Sequence, residues 1–393
     1  MKKGSMTMAD TFTETTTTGW GGNIKNAFVG ALIGVLLFFG SFVVLWKNEG
    51  RVNMGKVAEK ETVAVPSDRV DPAREGQAIS ISGSLATTDS LGDPKFLKPG
   101  PYIALERMVE MFAWVEEKET KEHQNTGGSS TKETTYRYEK KWTSDPQDSK
   151  DFKHADGHYN PAMPFASESF TVGGATVGAY AVDPAGMDLP EAQPLVLDAA
   201  QVNIKEGFQL SERHLFIGHG QPGDPQVGDV RVSFAAVPNG IRVTAFGKAE
   251  GNNLSPYFHK GTSRLYRAIA GTRDEAIVRM KHEYKVTGWI LRLVGFLMMW
   301  FGLQFLFGPV VAVLSVLPFL GKVGRFVWGF IAFIISLALS LVVIIVSMIV
   351  HNVWALLAVM VVIAGGFVWL KLQKKQASPA ASPAASPATP PAK

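Results

Sequence analysis

The chain of 393 residues contains no cysteine. Disulfide bonds, thiolate metal sites and cysteine nucleophiles are thereby excluded. Acidic residues are missing from the whole C-terminal part, where none follows Glu283. Charge of either sign is absent from residues 28–46, a run of 19 positions. About 20 apolar residues cross a hydrocarbon layer of roughly 30 Å. Three signatures of enzyme chemistry are missing too: a Gly-x-Ser-x-Gly elbow, a Walker loop and a dinucleotide-binding glycine fingerprint.

What is present is an apolar bracket around a polar middle. The first run ends in Val43-Val44-Leu45-Trp46-Lys47 without a small-residue cleavage pattern. It therefore reads as an uncleaved signal anchor over 27–46, a cleavable signal peptide being the rival reading. At the other end, Gly308-Pro309 breaks a long apolar stretch, because proline removes a helix hydrogen bond. The reading is a span from residue 288 with an interfacial or re-entrant segment from Pro309, together covering 288–320. Two further spans, 326–350 and 353–370, are joined by His351-Asn352. The expected fold class is an integral membrane protein with four transmembrane helices, five being the alternative, plus a large mainly-β (α+β) extramembrane domain over 47–271.

Charge orients this arrangement. The middle is slightly acidic, with 33 Asp+Glu against 29 Lys+Arg between Lys47 and Thr287. The formal net charge of +4 therefore comes from the membrane flanks and does not indicate nucleic-acid binding. Lys322, Arg325, Lys371, Lys374 and Lys375 mark the cytoplasmic side by the positive-inside rule. Four spans then place both termini inside and the domain outside the cytoplasm. Lys47, Arg51, Lys56 and Lys60, just after the first span, argue the other way.

Local patterns divide the rest. Residues 1–26 are Thr- and Gly-rich and read as a flexible N-terminus. Residues 371–393 read as a basic, then Ala/Ser/Pro-rich disordered tail. Strands are expected at 78–83, 108–117, 134–142, 230–237 and 241–246, with 118–132 a mobile loop. Asn239-Gly240 is a hairpin signal. Helices are expected at 190–204 and at 272–287. The second has a Thr272 cap, acidic Asp274 and Glu275 in its first turn, and basic residues towards its end.

Candidate chemistry is sparse. His154, Asp156 and His158 are the nearest approach to a metal motif, since two imidazoles and a carboxylate suit zinc. Gly157 and Asn160-Pro161 argue against a shared helix face, and a polar turn is the preferred reading. His214 and His219 flank a short apolar strand. Trp114, Tyr136, Tyr138 and Trp142 fit cross-strand packing better than a binding surface. Arg292, the only charge within the C-terminal spans, sits one turn from a helix start and can snorkel to the interface. No catalytic, cofactor-binding or metal site is assigned, and no cofactor is expected.

Several segments resemble the transmembrane protein 43 (LUMA) family. Leu45-Trp46-Lys47-Asn48-Glu49-Gly50-Arg51 is similar to its Trp-Asn-Glu-Gly-Arg segment, with Lys47 inserted. Residues 107–116, 132–138 with Trp142, and Gly157-His158-Tyr159-Asn160-Pro161 follow in the family's order. Val227-Gly228-Asp229-Val230-Arg231-Val232-Ser233-Phe234 resembles its Gly-Asp-x-Arg-Val-Ser-Phe strand. The resemblance runs from about residue 15 to residue 372. It implies a four-span protein of the endoplasmic reticulum and inner nuclear membrane whose large domain faces the lumen. It also implies self-association and, in animals, association with emerin and lamins. The Ala-Ser-Pro tail and compact loops suggest a bacterial member of the inner membrane with a periplasmic domain. The expected function is a non-enzymatic scaffold that contacts the lipid bilayer, self-associates and binds other membrane proteins. An ion channel or transport component is the alternative, and a metal-dependent hydrolase the remote one.

Overall fold

The computed structural model describes residues 10–205, 207–211, 213–314 and 318–352, and positions 356, 357, 360 and 361, with side chains excepted for 318–325. In chain order the elements are β1 (Asp10–Thr18), α1 (Trp20–Glu49), α2 (Met54–Glu61), β2 (Val63–Val65), β3 (Ala78–Ala86), β4 (Leu91–Asp93), β5 (Leu97–Gly100), β6 (Tyr102–Gln124) and β7 (Ser130–Thr143). Short strands follow: β8 (Glu168–Thr171), β9 (Ala175–Val177), β10 (Tyr180–Val182), β11 (Gln193–Pro194), β12 (Phe208–Leu210) and β13 (Leu215–Ile217). Then come β14 (Val230–Pro238), β15 (Ile241–Glu250), β16 (Asn253–Ser255), β17 (Tyr257–His259), β18 (Ser263–Leu265) and β19 (Arg267–Ala270). After these come α3 (Arg273–Leu306), α4 (Gly308–Leu314) and α5 (Pro318–His351).

Among the described residues two large sheets build most of the domain, flanked by the two-stranded pairs β4-β5 and β17-β18. One has eight strands in the order β1-β7-β6-β14-β13-β12, with β8 on β6 and β11 on β14. The other has seven, β19-β15-β16-β10-β9-β3-β2, with β15 also pairing β3. Apolar side chains alternate inward along these strands, so Ile79, Ile81, Leu85, Val177 and Val243 form one core. Leu105, Val109, Met111, Val230 and Val232 form another. The middle is mainly β, as its alternating sequence indicates.

Asn239-Gly240 behaves differently from its hairpin signal. Gly240 takes the positive φ of 85° that such a turn needs. Yet β14 and β15 belong to different sheets. Asn239 is tied instead to Thr87, accepting from its N–H at 2.9 Å and donating to its carbonyl at 2.8 Å. The turn therefore passes the chain from one layer to the other. Nor is 190–204 a helix. Proline at 190 and 194 interrupts it, β11 forms there, and the Asp198 side chain closes a turn by accepting from Ala200 N at 2.8 Å.

The expected mobile loop at 118–132 is mostly strand. β6 and β7 pair from Met111↔Thr143 to Gln124↔Ser130, leaving only 125–129 as the turn. β-branched threonines and alternating charges suit residues 117–123 of β6 to water, where all are exposed. The N-terminus corrects the expectation of flexibility in the same way. β1 pairs with β7 along its whole length, from Asp10↔Tyr138 to Thr18↔Ser130. A three-stranded polar ribbon results, and Gly19 alone separates it from α1.

The ribbon tip docks on the start of α1. Asn23 Nδ2 donates to the Gly128 carbonyl at 2.9 Å, and Ser130 Oγ donates to Asn23 Oδ1 at 2.9 Å. Gly128 has φ 82°, and a Cβ there would meet the Trp20 indole at 2.5 Å. The indole Nε1 donates to the Ala312 carbonyl of α4 at 3.0 Å.

Among the described residues three helices are long and apolar enough to cross a membrane: the one beginning at Trp20, α3, and α5 from Phe326. The connecting helix expected at 272–287 and the span expected from 288 are a single helix, α3, started by a capping box between Thr272 and Glu275. Its Phe307 C-cap is followed by α4, so Gly308-Pro309 does interrupt the helix. The span expected at 353–370 and the tail 371–393 lie outside the described residues apart from four positions, as do residues 1–9.

α1 and α3 run antiparallel and touch through small residues. A Cβ at Gly302 would lie 2.6 Å from Phe38 N, and one at Gly34 would lie 2.8 Å from Leu306 N. Leu45 packs on Gly295. In lipid, where apolar burial drives no association, such backbone approach is what holds helices together.

Candidate functional site

Among the described residues, two polar clusters and two of the clefts bear on possible chemistry. The first cluster sits where α1 leaves the membrane. Glu49, its side chain only 7 % exposed, accepts from Arg292 Nε at 2.8 Å and Nη2 at 2.9 Å. Arg292 also lies 5.0 Å from the Trp289 ring centroid. The snorkelling expected of Arg292 is thus replaced by a two-pronged ion pair. Such a pair neutralises both charges at the edge of the apolar layer, where an unpaired one is costly. Beside it, Asn48 Nδ2 donates to the Gly288 carbonyl at 3.1 Å. Arg51 donates to Asn48 Oδ1 at 3.0 Å and to the Tyr284 carbonyl at 3.1 Å, and lies over the Tyr284 ring. The Asn-Glu-Gly-Arg segment is a clamp between α1 and α3.

The second cluster contains the metal candidates. His158 is buried, its Nδ1 donating to the His154 carbonyl at 2.9 Å and its Nε2 lying 3.2 Å from Asp10 Oδ2. Its ring stacks on Tyr138 at 4.0 Å and meets Trp114 edge-on at 4.7 Å. His154 stacks on Phe12 at 4.3 Å and faces Glu14 at 3.8 Å. Asp156 is exposed at the turn where Gly157 takes φ 82°. The fold therefore joins each imidazole to strand β1 and leaves Asp156 outside the cluster. Among the described residues no three His, Asp or Glu side chains are grouped to hold a metal. No local pattern marks Asp10 and Glu14, because the N-terminal threonine run has no hydrophobic period and reads as flexible.

Tyr138 connects this loop to the ribbon. Its hydroxyl donates to Glu116 and accepts from His154 N at 2.8 Å. Burial, reinforced by that carboxylate, pushes the phenol up to about 12. It acts as a fixed neutral donor at physiological pH.

The motif residues of the domain have comparable duties. Asn160 accepts from Trp114 N at 2.7 Å and donates to the carbonyls of Trp114 and Gln147 at 2.8 and 3.0 Å. Buried Asp229 accepts from the backbone of His219, Gly220 and Gln226 at 2.8, 3.1 and 2.6 Å. Arg107, its side chain 1 % exposed, pairs with buried Asp93 and with Glu168 at 2.7 Å. These groups hold loops and strands.

The clefts differ in character. One of about 490 Å³ lies between α1 and α5, lined by Phe42, Val43, Trp46, Val342 and Val346 with Lys47 among its walls. Another of about 700 Å³ is bounded by Met108, Phe170, Leu189, Pro190 and Val237, with Glu106 and Glu191.

Helices of membrane-crossing length on either side of a large mainly-β domain define an integral membrane protein in contact with the lipid bilayer. The profile of the family described as Transmembrane protein 43 matches residues 111–353, well over half of the chain. The chain belongs to that family. It is 31 % identical to Transmembrane protein 43 of Rattus norvegicus over 296 residues, covering 70 % of this chain and 72 % of the relative. It is 30 % identical to the Homo sapiens protein over the same length and shares. The Drosophila melanogaster homolog is 27 % identical over 291 residues, covering 69 % and 75 %. No solved structure matches significantly. These relatives are animal proteins, so the expectation of a bacterial member in a bacterial inner membrane has no support.

Proposed function

We propose that this protein is a non-enzymatic membrane scaffold whose β-rich domain mediates self-association and binds other membrane proteins. The observation that carries the reading is the clamp at the membrane boundary. Asn48, Glu49 and Arg51 of α1 are fixed to Gly288, Arg292 and Tyr284 of α3. The domain is thereby tethered at both ends to helices that cannot rotate independently, which suits presentation of a surface in a set orientation. The structural use of Arg107, Asn160, His158 and Asp229 supports a role without catalysis. The basic Lys322/Arg325 segment favours the opposite side of the membrane for the domain.

Crosslinking in native membranes followed by mass measurement tests this reading. Homo-oligomers together with crosslinked membrane partners are the expected result. A strictly monomeric protein that captures nothing would overturn it.

A further inference from the structure

The ribbon and the helices make incompatible demands on one environment, and their resolution identifies an interface. The apolar run 28–46 of α1 lies between two anchor points. At one end, Arg51 enters the domain and contacts α3. At the other, Asn23 and Trp20 hold the ribbon tip at Gly128. The ribbon is continuous with the domain sheet at Met111, which pairs with both Val230 and Thr143. A helix of 30 residues is about 45 Å long at 1.5 Å per residue. The paired part of the hairpin, 14 residues in β7, spans about 46 Å at 3.3 Å per residue. With its tip held at the start of α1 and its base in the domain sheet, a ribbon of this length runs alongside the apolar helix.

Its composition forbids lipid there. Glu117, Lys118, Glu119, Lys121 and Glu122 are all exposed on β6. Open sheet edges do not occur in hydrocarbon, and charges within it are expensive. α1 in turn exposes Leu32, Leu36 and Phe39 at 69, 74 and 63 %, which suits lipid and not water.

We propose that the ribbon crosses the membrane plane inside a water-filled space enclosed by neighbouring copies of this chain, with the apolar helices facing lipid outside. The proposal rests on the self-association in the scaffold reading and names the surface. The edges of the ribbon supply the contact. β1 is the last strand of its sheet, with only β7 beside it among the described residues. On β6, Asn160 and Gln147 occupy the outer edge at Trp114 and Glu116, and among the described residues no strand covers 118–123 on that edge. β1 and β6 are both antiparallel to β7 and therefore parallel to each other. Copies related by rotation about the membrane normal keep that direction, so β1 of one copy can lie beside β6 of the next. A two-fold pairing of β1 with itself would invert one copy in the membrane.

The absence of native cysteine makes the test direct. Full-length chains carrying single substitutions are placed in sealed lipid vesicles in which Glu191→Cys, on the domain, labels completely from outside with an impermeant maleimide. Lys118→Cys is expected to label at least a hundredfold faster than Leu36→Cys. Thr126→Cys, at the tip, is expected to label only after the vesicles are opened. A Thr15→Cys/Lys121→Cys chain is expected to give dimers and higher species with a short bis-maleimide. Lys118→Cys as slow as Leu36→Cys overturns the inference, as does Thr126→Cys labelling from the same face as Glu191→Cys. Oligomers that crosslink only through the domain remove this inference and leave the scaffold reading standing. A strict monomer removes both.

Discussion

Arg107 offers the sharpest test of how the domain is held together. Its guanidinium donates to Asp93, to Glu168 Oε2 at 2.7 Å and to the Ala166 carbonyl at 3.0 Å, and lies near the Phe96 and Phe170 rings. Arg107→Ala would leave the fully buried Asp93 carboxylate with only the N–H groups of Lys95 and Phe96, at 2.7 and 3.0 Å. Stranding one partner of a buried pair costs about 3–5 kcal/mol. At about 2–4 °C per kcal/mol for a domain of this size, the melting temperature should fall by roughly 10 °C. Arg107→Met with Asp93→Asn should behave differently. Asparagine keeps an acceptor for both N–H groups, and methionine fills the space between the aromatic rings. The double variant is expected to recover about 2 kcal/mol or more of the loss. Thermal unfolding of the full chain in detergent, followed by tryptophan emission, measures both. The reasoning is refuted if Arg107→Ala shifts stability by less than about 1 kcal/mol, or if the double variant is no better than the single one.

Other sites respond in distinct ways. Gly302→Ala should separate α1 from α3 and lower thermal stability, whereas Gly30→Ala, with nothing within 4 Å, should not; equal melting of the two would refute the close-packing account. Asn160→Ala leaves the N–H and carbonyl of Trp114 and the Gln147 carbonyl without their partner. It should cost about 3 kcal/mol in denaturant unfolding, and a cost below about 1 kcal/mol would contradict the assigned role. Glu61 is held below its ordinary value of 4.5, first by the His259 hydrogen bond and then by that of Tyr257. A depressed carboxylate contributes stability above its unfolded value and loses it as pH falls through the folded one. The hydrogen-exchange protection of residues 257–265, taken relative to the intrinsic rate at each pH, should therefore fall below about pH 4.5 in the parent chain and lose that step in Glu61→Gln.

The membrane helices were legible because length and lack of charge act locally. So was the start of α3, where Thr272 and Glu275 form a self-contained cap. Strands at 230–237 and 241–246 were legible from alternation, but their partners were not. An Asn-Gly turn specifies a reversal of the chain, while the sheet each strand joins depends on Thr87 and Leu85, about 150 positions away along a path no local pattern encodes. The ribbon was hidden for a related reason. Thr- and Lys/Glu-rich strands with two wet faces carry no hydrophobic period, so β1 and residues 118–132 read as loop. The candidate cluster failed to be legible on the same account, since His158 finds Asp10 only once β1 is in place. The clamp was visible as residues but not as contacts, because Glu49 and Arg292 are 243 positions apart.

The chain returns to α1 twice, once through Gly50 into the domain and once through Gly19 from the ribbon. Helix, domain and ribbon therefore form a braced frame, closed at the Arg51–Tyr284 corner and at the Asn23–Gly128 corner. A frame with two fixed corners cannot lean without opening one of them. A load on the ribbon tip is therefore shared between α1 and the paired strands β6 and β7.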